Sequence, residues 1–256
     1  MRKKEHKKVN EIFLIRRRYK HSTYIGNDEY KRVKKKTEIL NGVGAISGLW
    51  MMFYPKPFAA LALINTVIPI IAIYLYVKYK YIKLETDFEK DIPHIFFMTF
   101  FPTFALVLAA YDDMRNVIYT KQLWIYISII SLIILIIMLL RTEYKKKIWH
   151  IFSEIITVFI IIFLYIYGAL IVTNCTFDNS KPAKYTTSVV GKFETTGYRG
   201  GGKTYYQLTL KPLGLSKEKN HIYVPEYLYN RAEEGQKFNV FLMGGRWGIK
   251  WVKPAE

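Results

Sequence analysis

The sequence predicts an α-helical membrane protein with five transmembrane helices, a cytoplasmic N-terminus and a small all-β C-terminal domain. Three observations predict it. Five apolar stretches (Leu40–Tyr54, Phe58–Val77, Ile95–Ala110, Leu123–Leu140 and Trp149–Val172) are separated by short loops. The Lys and Arg residues of those loops fall almost entirely on alternate sides. After residue 174 the apolar stretches give way to short runs of β-type alternation divided by Gly- and Pro-containing turns. The expected organisation is a basic segment over 1–37, a five-helix transmembrane domain over 38–174 and an extracytoplasmic β domain over 175–256.

A spanning helix needs about 17–25 mostly apolar residues. The second, fourth and fifth stretches meet that length. The first and third are shorter and need flanking residues to reach across, and a buried soluble helix is the alternative for those two. Residues 1–37 hold 14 Lys or Arg, and the loops after the second and fourth stretches hold four each. The opposite loops hold Lys56, Arg115 and Lys121. Twenty-two basic residues against three orient the chain, because short cytoplasmic loops are enriched in Lys and Arg. The N-terminus is therefore expected in the cytoplasm, and an odd number of spans puts the tail outside. The first span is the pivot of that reading. It contains Gly42, Gly44 and Gly48 and is closed by Pro55-Lys56-Pro57, so a helical hairpin is expected there; a re-entrant segment would put the tail in the cytoplasm. Gly44 and Gly48 stand four apart, a spacing that lets helices approach closely in lipid, either against the next span or along an oligomer seam.

The first 36 residues lack the apolar core and small-residue cleavage site of a signal peptide, so the first span is expected to direct insertion. Cys175 is the one cysteine, and no intramolecular disulfide can form. Abundant Ile, Lys and Tyr match the usage of AT-rich bacterial genomes, and the expected location is the bacterial inner membrane.

Within 1–37, 14 basic residues against four acids leave a net charge of +10. The cluster Ile12–Ile15 runs directly into Arg16, Arg17 and Arg18, which suits a short helix on the inner leaflet or docking to a cytoplasmic protein, since each basic residue near an anionic surface contributes about 1 kcal/mol. Nucleic acid is not the expected partner: no binding motif accompanies the basic arm.

Polar residues inside spans are functional candidates. Glu154 lies five residues after Trp149, near the cytoplasmic interface, where pairing with Lys145–Lys147 would satisfy it. Asn65 and Thr66 can bond to a neighbouring helix. His94 and His150 sit at span edges. Asp112-Asp113-Met114-Arg115 resembles the first aspartate motif of prepilin-type aspartyl peptidases, but that chemistry needs a second aspartate to share a proton. No Gly-x-Gly-Asp context supplies one.

In the tail, Tyr185–Phe193, Thr204–Leu210, His221–Val224, Lys237–Leu242 and Trp247–Val252 read as strands, with a helical turn over Pro225–Arg231. Gly244-Gly245 suits a hairpin turn between the last two strands. Five short strands point to a small SH3-like or OB-like barrel or a sandwich, closure being the remedy for exposed edges. Tyr198, Tyr205, Tyr206, Tyr223, Tyr227, Tyr229, Trp247 and Trp251 are available as a binding surface or as barrel core. Gly197–Thr204 fits the phosphate-loop pattern letter for letter. That chemistry requires a helix immediately afterwards, whereas residues 204–210 alternate as a strand and Pro212 follows. One His and one Cys in the tail cannot build a zinc-type cluster. No catalytic, metal or cofactor constellation emerges.

This layout (basic cytoplasmic segment, five spans, small extracytoplasmic β domain) is similar to the five-span inner-membrane subunit of the variant type VI secretion machinery. The similarity covers the whole chain in order and size and carries no motif or residue role with it. It implies a non-enzymatic structural subunit that meets envelope partners on both sides of the membrane, alongside lipid contacts and possible self-association. An immunity or stress-sensing protein with the β domain as receptor, and a small transporter or channel using Glu154 or Asn65, are the other expectations.

Overall fold

A computed structural model describes residues 28–84, 92–112, 116–118, 121–140, 148–196, 204–211 and 221–255. Five long helices precede a β domain. They are α1 (Asp28–Phe53), α2 (Phe58–Lys78), α3 (Phe96–Asp112), α4 (Lys121–Leu139) and α5 (Ile148–Thr176). The five strands are β1 (Ala183–Thr196), β2 (Thr204–Leu210), β3 (His221–Val224), β4 (Lys237–Met243) and β5 (Trp251–Pro254), with a short α6 (Glu226–Arg231) between β3 and β4.

All five predicted apolar segments are helical, but two rather than five are long and apolar enough to cross a membrane among the described residues: Phe58–Lys78 and Ile155–Thr176. The apolar helices Phe96–Tyr111 and Leu123–Leu139 are shorter. The first ten residues of α1, Asp28–Thr37, include five Lys or Arg, which lowers its apolar content. This helix runs across the expected boundary at residue 37. Residues 28–53 form one continuous helix, and Tyr30, Val33 and Thr37 are buried, with the Tyr30 ring 5.1 Å from Tyr81. The last basic stretch before the first apolar segment therefore belongs to the bundle.

The turn at Pro55-Lys56-Pro57 forms as expected and contains a cis Lys56–Pro57 peptide. Prolines cannot donate to a helical ladder, and α1 ends before the turn while α2 begins after it.

Helix α3 is the centre of the bundle, packed by α1, α2 and α5. Small residues make this possible. A Cβ on Gly48 would lie 2.7 Å from the Phe101 backbone carbon, and one on Gly44 would lie 2.8 Å from the Met98 Cα. Gly44 and Gly48 therefore form the α1–α3 seam within one chain, and Gly44 also meets the next helix, α2, where a Cβ would lie 3.4 Å from Ile68 Cγ2. Gly168 brings α5 equally close to Leu106. Helices α1, α3 and α5 run parallel, since Val33, Met98 and Ile162 share one cluster while the later residues Met51, Ala110 and Val172 share another, so their C-terminal ends lie at one end of the bundle.

The β domain is a nearly closed antiparallel sheet of order β3-β2-β1-β4-β5. The long β1 pairs with β2 through its second half and with β4 through its first. Val189, Leu208, Leu210, Ile222, Val240 and Val252 fill the interior. The last strand begins at Trp251 rather than at the expected Trp247. Gly245 and Gly248 have φ of 76° and 78°, a left-handed backbone that no strand continues through.

Candidate functional site: the junction of bundle and β domain

The β domain is not tethered loosely. Two separate parts of the bundle are built into it. The first is the α3–α4 connection. A five-stranded sheet of this order leaves the edges of β3 and β5 facing each other, and unpaired edge amides need partners. Asn116 supplies them on one side. Its side-chain Nδ2 donates to the Tyr223 carbonyl and its Oδ1 accepts from the Tyr223 N–H, both at 2.8 Å. On the other side, Val252 N–H donates to the Asn116 carbonyl at 3.0 Å and Ile118 N–H donates to the Lys250 carbonyl at 2.8 Å. Val117 bridges antiparallel to Trp251. One side-chain amide thus imitates a backbone peptide towards β3, while the true backbone pairs with β5.

Successive residues of an extended segment point to opposite faces, and the connection uses that. Val117 is fully buried among Leu123, Ile171 and Val172 in the bundle core. Ile118 is buried among the barrel residues. Three residues therefore join two hydrophobic cores.

The second attachment is the end of α5. Asn174 is fully buried. Its carbonyl accepts from Arg246 N–H at 3.0 Å, its Oδ1 from Trp247 N–H at 2.9 Å, and its Nδ2 donates to the Ile249 carbonyl at 2.8 Å. The β4–β5 loop is wrapped so tightly around this amide that a Cβ on Gly245 would collide with both Asn174 and the Ile249 carbonyl. Thr173 Oγ1 accepts from the Trp247 indole at 2.8 Å. Just beyond the helix, Asp178 Oδ2 accepts from the Trp251 indole at 2.7 Å and from Gly245 N–H at 3.0 Å, while Oδ1 accepts from Ser180 N–H at 2.7 Å. Burial pushes the Asp178 carboxyl up, but the hydrogen bonds from Ser180, Trp251 and Gly245 outweigh it and hold it below its ordinary value. Hydrogen bonds to the charged form favour that form.

The residues singled out in the sequence fall elsewhere. Asn65 is fully buried and saturated by its own bundle. Its Oδ1 accepts from Ser47 Oγ at 3.0 Å, and its Nδ2 donates to the Leu61 and Ser47 carbonyls at 2.9 and 3.2 Å. It clamps α1 to α2. Tyr165 adds a bond from α5 to the Thr66 carbonyl at 2.6 Å. Glu154 lies on α5, but its side chain is outside the described residues, as are Arg16, Arg17 and Arg18, Asp113–Arg115 and residues 197–203 of the phosphate-loop match. Thr204, the last residue of that match, opens β2, which pairs antiparallel with β1 from Thr196↔Thr204 onward. A strand rather than a helix therefore follows the match, and a phosphate loop requires the helix. Of the tail aromatics, Tyr206 and Tyr229 pack at 5.0 Å with Lys192 over the Tyr229 ring at 4.4 Å. Among the described residues no group of three or more His, Cys, Asp or Glu could hold a metal ion.

Asn116 and Asn174 went unnoticed in the sequence. An Asn next to an Arg in a polar connection looks like any turn residue, and one at a helix end looks like a C-cap. No family model, curated protein or solved structure matches this chain.

Proposed function

We propose that the protein is a non-enzymatic membrane anchor of a bacterial envelope-spanning complex, in which five spans hold an OB-like domain rigidly on the extracytoplasmic face. The observation that carries this reading is the double attachment at Asn116 and Asn174. A receptor on a flexible tether needs no such junction, whereas a subunit that passes load between partners on two sides of a membrane does. The sheet order with a helix between β3 and β4 supports the OB-like assignment over an SH3-like one.

Five spans are compatible with the helix lengths. Helix α4, with 19 residues, covers about 28 Å at 1.5 Å per residue, and short spans are accommodated by local thinning of the bilayer. Helix α3 is buried along most of its surface and exposes a stripe that includes Phe100 and Phe104. Exposed aromatics flank both ends of the bundle, Tyr54 and Tyr111 at the β-domain end and Tyr74 at the other, as expected of interfacial belts. The shared end of α1, α3 and α5 supports an odd span count with the tail opposite the basic N-terminus. The saturation of Asn65 by Ser47 and Leu61 weighs against the transporter reading at that residue.

Purification from gently solubilised membranes tests the reading. Stoichiometric envelope partners on both sides support it; a homo-oligomer that conducts ions in liposomes sinks it. A membrane-impermeant thiol probe on a cysteine placed at exposed Lys250 should label without permeabilising the inner membrane.

A further inference from the structure

We propose that the β4–β5 loop rests in the headgroup layer of the outer leaflet, with Trp247 as its anchor, so that the lipid surface is a binding partner of the β domain itself. The proposal rests on α5 spanning the membrane. Trp247 is held by two hydrogen bonds, indole to Thr173 and backbone N–H to Asn174, so its ring cannot retract. Yet the residue is 58% exposed. Its depth is fixed by its partner: Thr173 lies three residues before the end of the apolar segment Ile155–Thr176, about 4–5 Å below that end at 1.5 Å per residue. A fixed, exposed indole level with the last apolar turn of a span has the placement of an interfacial tryptophan, whose ring is apolar and whose edge is polar. Arg246 and Lys250, both exposed, flank it on the same loop and bring cationic groups to the level of lipid phosphates. Tyr54 and Tyr111, 61% and 64% exposed, close the other two parallel helices at this end, so the loop continues a belt that the bundle begins.

Nitroxide depth measurement in nanodiscs of phosphatidylethanolamine and phosphatidylglycerol tests this. In a Cys175→Ala background, one label goes at Trp247→Cys and another at Ile133→Cys, an exposed position midway along α4. The expected result is a mid-bilayer oxygen-over-nickel accessibility ratio at 133 and a lower, headgroup-level ratio at 247. A label at 247 open to aqueous nickel, or shielded from both reagents by protein or a second copy, overturns the proposal while a mid-bilayer reading at 133 leaves the spans standing. An aqueous reading at 133 overturns the spans. Should Trp247→Cys not fold, a label at Arg246→Cys, which keeps the Trp247–Thr173 bond, is read by the same criteria.

Discussion

Asn116, in the connection between α3 and α4, and Tyr223, on β3, exchange two hydrogen bonds of 2.8 Å through a single side-chain amide across 107 residues of sequence. The pair is bidentate, and no other side chain of similar size presents a donor and an acceptor in that peptide-like geometry. Replacing Asn116 by Ala leaves the Tyr223 N–H and carbonyl without those partners, each worth about 1–3 kcal/mol when buried. Asn116→Ala should lower the unfolding midpoint of the purified protein and raise amide exchange at residues 221–224, and Asn116→Asp should fail to rescue because it lacks the donor. Unchanged exchange in β3 would refute the splice.

The α1–α3 seam makes a graded prediction. Gly48→Ala places a methyl group 2.7 Å from the Phe101 backbone, where the backbone must move, and overpacking of this kind costs about 1–3 kcal/mol. Gly42 has nothing within 4 Å, so Gly42→Ala should be neutral or slightly stabilising through its higher helix propensity. Thermal stability in one detergent compares them; equal effects contradict the seam.

Acid should loosen the junction. Asp178 is held below its ordinary value of 3.8, so its contribution is fully present above that value. It fades as pH falls below 3.8 and through the folded-state value, because the unfolded chain takes up the proton first. Fluorescence of the Trp251 indole, bonded to this carboxylate, is expected to shift in that window, and Asp178→Asn should remove that acid step. A transition centred near neutral pH would point to another group.

Asn65→Leu tests the polar clamp. It removes three hydrogen bonds to Ser47 and Leu61 and leaves the Ser47 hydroxyl to its weaker contact with the Gly44 carbonyl at 3.3 Å. Interhelical hydrogen bonds in membranes contribute about 0.6 kcal/mol on average, so a loss of roughly 1–2 kcal/mol is expected, with wild-type partner recovery. Abolished partner recovery in a folded Asn65→Leu protein would assign this residue a direct role.

How much of this was legible before the fold was known can be argued from single elements. Strands Thr204–Leu210 and His221–Val224 match residue for residue, because β-type alternation there is bounded by Gly- and Pro-containing segments. The fifth strand was placed four residues early, because the Trp247 and Ile249 alternation belongs to a loop wound around Asn174. Alternation records burial, and here the burying partner is a helix end rather than a sheet. The glycine pair was legible as a close-packing device, but its tightest neighbour, α3, was not, since periodicity within one helix carries no information about which neighbour it meets. The junction was the least legible part. It depends on Asn116 and Asn174, whose meaning comes from groups 107 and about 75 residues away.

The splice at Asn116–Ile118 also bears on how the chain is made. The segment that fills the gap between β3 and β5 is synthesised before α4, α5 and the whole barrel. Its partners come much later: Tyr223 lies 107 residues beyond Asn116, and Lys250, Trp251 and Val252 stand close to the end of the sequence. The gap between β3 and β5 can therefore be filled only once nearly the whole chain has been made, and the connection waits through that interval with its peptide groups unpaired by the sheet.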